Sequence, residues 1–157
     1  MKRNKMFVVG VLAATFLLLP TGLQSQEDGD HHCSRENCVL GSFSLIVQAN
    51  GLGTFKALLT LSPGGGAVET NTAQGAPVTV HGSWAATKDD QIALTFITFS
   101  LRGPGMAKTR ETINFSDSGD SFTAVFVVQE MDANGNVFAT VPGTATGKRI
   151  FVEPLSD

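Results

Sequence analysis

The sequence predicts an all-β domain, an antiparallel up-and-down barrel of about eight strands. Three observations carry that expectation. From Gly41 onward apolar residues recur at every second position, the period of a strand, with little helical spacing. Clusters of Gly, Pro, Asp and Asn interrupt the alternation at short intervals. The connections are short, and a parallel crossover would need on the order of a dozen residues, so neighbouring strands should be antiparallel. A meander of this length must manage its edges, and closure into a barrel removes them. A two-sheet β-sandwich is the alternative, but no long return loop calls for its Greek-key crossing.

The first strand, over 42–48, places Phe43, Leu45 and Val47 on one face. The second, over 54–62, does the same with Phe55, Ala57, Leu59 and Leu61. Ser62-Pro63-Gly64-Gly65-Gly66 turns the chain into a third strand over 67–72, followed by a looser connection over 73–77. The fourth, over 78–87, aligns Val80, Gly82, Trp84 and Ala86 against His81, Ser83 and Ala85. Lys88-Asp89-Asp90 leads to a fifth strand over 91–101, and Arg102-Gly103-Pro104-Gly105 to a sixth over 107–115. Asp117-Ser118-Gly119-Asp120 introduces a seventh over 121–130. Beyond Asp132-Ala133-Asn134-Gly135-Asn136, residues 137–141 lead through Pro142-Gly143 into 144–151, which makes eight or nine strands according to whether the chain breaks there.

The fifth and seventh strands are apolar on both faces. Ile92, Leu94 and Phe96 oppose Ala93, Ile97, Phe99 and Leu101, while Phe122, Ala124, Phe126 and Val128 oppose Val125 and Val127. Strands covered on two sides have this composition. The outer wall is therefore expected to be covered by another chain or by the N-terminal segment, with a homo-oligomer as the favoured cover.

The first 25 residues read as a signal peptide. Met1-Lys2-Arg3-Asn4-Lys5 is basic, residues 6–19 carry no charge, and Pro20 and the small Ser25 follow. The apolar run of 14 residues is shorter than the roughly 20 a spanning helix needs. The expected location is secreted or periplasmic. Without Lys2, Arg3 and Lys5, 8 basic residues face 14 acidic ones, so the net charge moves from −3 to −6. That balance argues against nucleic acid and anionic membrane as partners. Residues 26–40 form a polar segment in which Cys33 and Cys38, exported into an oxidising compartment, are expected to form a local disulfide. The barrel domain spans 41–154.

Few motifs carry chemistry. The run Gly64-Gly65-Gly66 lacks the strand–helix context and the Lys of a phosphate loop and reads as a turn. Asp132, Asn134 and Asn136 alternate as at the start of a calcium loop, but the closing acidic residue is absent and Asn134-Gly135 is a hairpin signal. His81 has no partner pattern that marks a catalytic base. No catalytic residue, metal ligand or cofactor is assigned. Glu111 shares a face with Thr109, Ile113 and Phe115 and is expected to point inward, where Arg110 or Arg149 would be its partner.

A further pattern joins Leu40-Gly41-Ser42-Phe43, residues 55–61, His81-Gly82-Ser83-Trp84, residues 116–122, Met131 to Asn136 and residues 143–150. It resembles a group of exported bacterial proteins with a lipocalin-like barrel and no established activity. Lipocalins proper carry Gly-x-Trp on the first strand with a late Arg packed over the Trp. Here Gly41-Ser42-Phe43 stands at the first-strand position and Arg149 suits the late Arg. The resemblance implies a lipocalin-like barrel. The favoured reading is an exported barrel binding a small apolar ligand in its interior, with Trp84, Phe96, Glu111, Phe126 and Arg149 as candidate ligand-binding residues. The alternatives are a homo-oligomeric structural or interaction module, and a cofactor-free isomerase or cyclase using Glu111, Arg110 and Arg149.

Overall fold

The computed structural model describes residues 39–100 and 104–155. The leader, most of the 26–40 segment including Cys33 and Cys38, and Leu101 lie outside the described residues. Eight strands follow one another: β1 (Gly41–Ala49), β2 (Gly53–Leu61), β3 (Gly66–Asn71), β4 (Val78–Lys88), β5 (Gln91–Phe99), β6 (Gly105–Phe115), β7 (Ser121–Asp132) and β8 (Val137–Arg149). Each pairs antiparallel with its sequence neighbour, and β8 pairs with β1 from Phe43 opposite Arg149 to Ala49 opposite Gly143, closing the barrel. The alternation read from the sequence sets the inward faces. Phe43, Leu45, Val47, Ala57, Leu59, Leu61, Ile92, Leu94 and Phe96 are all buried.

Several boundaries differ from expectation: β5 ends at Phe99 rather than 101, β6 starts at Gly105 rather than 107, and β7 runs to Asp132 rather than 130. The chain does not break at Pro142-Gly143; β8 is a single strand of 13 residues. The Pro142 carbonyl accepts a hydrogen bond from the Asn50 amide at 3.1 Å, so its peptide edge faces the β1 side. The β1 ladder ends at Ala49 opposite Gly143. The donor that proline lacks therefore falls where no strand partner is waiting, and the ladder loses nothing.

Inward glycines sit opposite phenylalanines. Gly82 pairs with Phe96, Gly143 with Phe126 and Gly147 with Phe122. A Cβ at any of the three would overlap its partner's ring. The ring thus occupies the space that the missing side chain leaves. Five of the nine phenylalanines beyond the leader are buried and Phe55 packs against the core, whereas Phe99, Phe138 and Phe151 are exposed.

Three aromatic rings pack together inside the end of the barrel that holds the β2–β3, β4–β5 and β6–β7 turns. Phe43, Phe115 and Phe122 meet there with ring centroids 5.3 to 5.7 Å apart and steeply inclined planes, the edge-to-face geometry that aromatic quadrupoles favour. Arg149 closes this end. Its guanidinium carbon lies 4.7 Å from the Phe43 ring centroid, as the resemblance implies, with Phe in place of Trp. Its Nη1 donates to the Leu40 carbonyl at 2.6 Å, and Nε and Nη2 donate to the Gly119 carbonyl at 3.1 and 2.7 Å. Asp120 stands 3.6 Å away as a counter-charge. Gly41 permits this approach, since a Cβ there would lie 2.7 Å from Arg149 Nη1.

The outer wall is open on this chain. Ile97 and Val125 are exposed and Phe99 is 80% exposed. A transverse row runs through Phe99, Met106, Met131 and Val137, each paired with the next across β5 to β8.

Because the planar fork of Arg149 serves two carbonyls and a ring at once, lysine should not replace it. Arg149→Lys is expected to lower unfolding stability by about 1–3 kcal/mol, the range for losing hydrogen bonds to a charged donor. The urea midpoint should fall with the m-value unchanged.

Candidate functional site

The other half of the barrel is not filled. A cavity of about 150 Å³ lies inside it. Its walls are mostly apolar: Leu45, Val47, Phe55, Val80, Phe96 and Phe126 face it, and Ala49, Ala107 and Ala145 leave the room. Leu52, Ala73 and Gln74 contribute from the β1–β2 and β3–β4 loops at the mouth. One side is polar, with Glu69 and Asn71 from β3, Thr98 from β5, Thr109 and Glu111 from β6, and Glu130 from β7.

Glu111 is the inward carboxyl that the sequence pointed to, and it is 7% exposed. The expected arginine partner does not reach it. Arg110 stands on the exposed outer face and donates to Gln129 Oε1 at 3.3 Å, while Arg149 is engaged at the packed end. The alternation explains this: Arg110 is one residue from Glu111 and must point to the opposite face. No donor among the described residues bonds the Glu111 carboxyl. Its electrostatic neighbour is another acid, Glu69 from β3 across the interior. Burial, and secondarily the Glu69 charge, push the Glu111 carboxyl up to about 8. Burial also raises Glu69, opposed by the Asn71 amide, which donates to Glu69 Oε1 at 2.9 Å. Asn71 is itself oriented by the Ala73 amide, which donates to its Oδ1 at 3.3 Å. The arrangement is a pair of carboxyls in a low-dielectric pocket, where both cannot ionise cheaply. At neutral pH Glu111 holds a proton.

Of the five expected ligand-contacting residues, the structure brings Phe96, Glu111 and Phe126 together on this cavity. Trp84 and Arg149 lie elsewhere. Trp84 borders an open hollow by Val39 and Pro63 at the packed end, and its Nε1 donates to the Ser62 carbonyl at 3.1 Å. Glu111, Arg110 and Arg149 do not converge, so the constellation that an isomerase reading needs is not formed. His81 is exposed on the outer wall. The Asp132 carboxylate closes the β7–β8 hairpin by accepting from the Asn134 and Asn136 amides at 2.9 Å and from Asn136 Nδ2 at 3.1 Å. Those bonds hold it below the usual carboxylate range. The sequence reading passed over Glu69, Asn71 and Glu130 as site members. The signal was present, because Ala67, Glu69 and Asn71 share one face of β3, and Glu130 continues the face of Phe126 and Val128.

No protein-family model matches this chain, and no curated protein matches it. Among solved structures it is similar to one described as "Structure of EF1p2_mFAP2b bound to DFHBI", with 18% sequence identity and a TM-score of 0.61. The match covers 74% of this chain and 98% of that one. At that identity the likeness establishes the shared fold, a closed eight-stranded antiparallel β-barrel.

A carboxyl raised on folding binds protons more tightly in the native state than in the unfolded chain. Its contribution is full below the unfolded value near 4.5 and is lost as pH rises through about 8. Glu111→Gln should therefore flatten the decline in stability between pH 5 and 8. At pH 8.5 the variant should be the more stable by on the order of 1–3 kcal/mol, the range for relieving a buried, unsatisfied group. Urea titrations of both proteins across that range check the sign.

Proposed function

We propose that this chain is an exported barrel that binds a small, largely apolar molecule inside its unfilled half. The observation that carries the reading is the cavity between Phe55, Phe96 and Phe126. Its volume of about 150 Å³ is matched to a single substituted ring, since apolar cavities of about that size hold benzene. Mostly apolar walls with a few convergent polar groups are the usual make-up of small-molecule sites. The solved barrel of similar fold described as bound to DFHBI supports the idea that this architecture accommodates small organic molecules. Export rests on the leader pattern of the first 25 residues, and with it goes the disulfide between Cys33 and Cys38. The resemblance to exported bacterial lipocalin-like proteins points the same way.

Phe96, Phe126 and Glu111 are the residues proposed to contact the ligand, with Glu69 and Asn71 added. Calorimetric titration with toluene or indole should show saturable binding. Ala107→Leu, which puts three extra carbons into the cavity, should abolish that binding while the protein stays folded. Equal binding by the variant would sink the interior site.

A second reading, an interaction module, is favoured by the exposed outer row of Phe99, Met106 and Val137. Light scattering of the mature chain decides it: a dimer or larger assembly supports the reading, and a monomer at high concentration removes it.

A further inference from the structure

We propose that the interior site takes a small organic cation, a primary amine on an aromatic or alkyl body. Its ammonium group sits between Glu111 and Glu69, and its hydrocarbon lies against Phe55, Phe96 and Phe126. The proposal rests on the cavity being a ligand site, and it names the chemistry that the site selects.

Three features of the lining point to a cation. First, the polar groups are predominantly acceptors. Three carboxyls, of Glu69, Glu111 and Glu130, and the Thr98 and Thr109 hydroxyls face the cavity beside the Asn71 and Gln74 amides, and among the described lining residues there is no Lys, Arg or His. An anionic ligand would meet only like charge. Second, Glu111 is more than nine-tenths buried, lines the cavity and receives no hydrogen bond from the described residues. Burying a carboxyl without a partner is costly unless something bound supplies the missing donor. An ammonium group carries three donors and a full charge, enough to serve both carboxyls. The Asn71 amide already donates to Glu69 Oε1, which fixes that carboxyl and leaves Oε2 to receive a ligand. Third, the rest of the wall includes aromatic faces, which attract cations as well as hydrocarbon.

The same groups set the pH dependence. The titratable side chains on this cavity are Glu111 on β6, Glu69 on β3 and Glu130 on β7. Its walls from β1, β2, β4, β5 and β8 contribute only uncharged residues. The cation requires ionised Glu111, whereas the empty site holds it protonated at neutral pH, so amine binding expels a proton. Affinity should rise about tenfold per pH unit up to about 8, level off there, and fall once the free amine loses its own proton.

The test compares three ligands on one ring: toluene, and the isosteric pair benzyl alcohol and benzylamine. Calorimetry on the wild-type protein at pH 8 should give benzylamine at least a tenfold advantage over benzyl alcohol. At pH 6.5, titrations in buffers of different ionisation enthalpy should show close to one proton released per benzylamine bound. Glu111→Gln should lose the amine preference and keep toluene binding. Glu69→Gln, a milder change at a half-buried position, should reduce the preference without removing it. Toluene binding with no benzylamine advantage would overturn the cation proposal and leave the ligand site standing. Failure of all three ligands to bind would remove both. An amine preference that survives Glu111→Gln would overturn the role given to that carboxyl.

Discussion

The interior of a barrel with eight strands is only just wide enough for side chains to fill it, and the placement of phenylalanine rings over glycines decides which part is filled. Phe122 over Gly147, together with Phe43 and Phe115, fills the interior at one end with contacting rings. Phe126 over Gly143 and Phe96 over Gly82 lie farther along, each packed on the glycine of the adjacent strand. Around and past them, small Ala49, Ala107 and Ala145 and the polar Glu69, Asn71, Thr98, Thr109, Glu111 and Glu130 share the wall with Phe55, Val78 and Val128, and the interior is not filled. The cavity is what remains when rings are concentrated at one end of a tube of fixed width.

The same layout separates the interior charges. Arg149 satisfies its donors on backbone carbonyls and stacks on Phe43, so its burial is compensated at the packed end. Glu111 and Glu69 lie in the other half without a basic group between them. A mutual ion pair would have neutralised both and left nothing for a ligand to supply. Keeping the cation on one plug and the acids in the cavity costs stability at alkaline pH, and it leaves the site chemically unsaturated.

Alternation in the sequence was enough to assign the inward faces of β1, β2, β5, β6 and β7 and to place Glu111 inside. That period is a local property and survives whatever the strand later pairs with. What depended on stagger was not legible. Glu69 and Glu111 belong to strands that do not pair, and only the curvature of the closed sheet brings them into electrostatic reach. Pro142 left the strand count open for a related reason: whether its absent donor matters depends on where the neighbouring strand stops. The two-sided apolar character of β5 and β7 was real in composition, yet the outer side chains of Ile97, Phe99 and Val125 stand exposed on the single chain. Arg149 was recognised by its likeness to a known packing role, and the structure gives it that role at the opposite end from the cavity.

The position of Trp84 has a spectroscopic consequence. The chain has a single Trp and no Tyr, and that Trp is tied to Ser62 at the packed end rather than to the cavity. Indole emission therefore reports whether the plug is intact, and a bound ligand does not touch the indole directly. Aromatic side chains at the chamber are phenylalanines, whose near-ultraviolet bands are weak. A ligand excited beyond the indole band would be seen without protein background, with the indole emission serving as a separate monitor of folding.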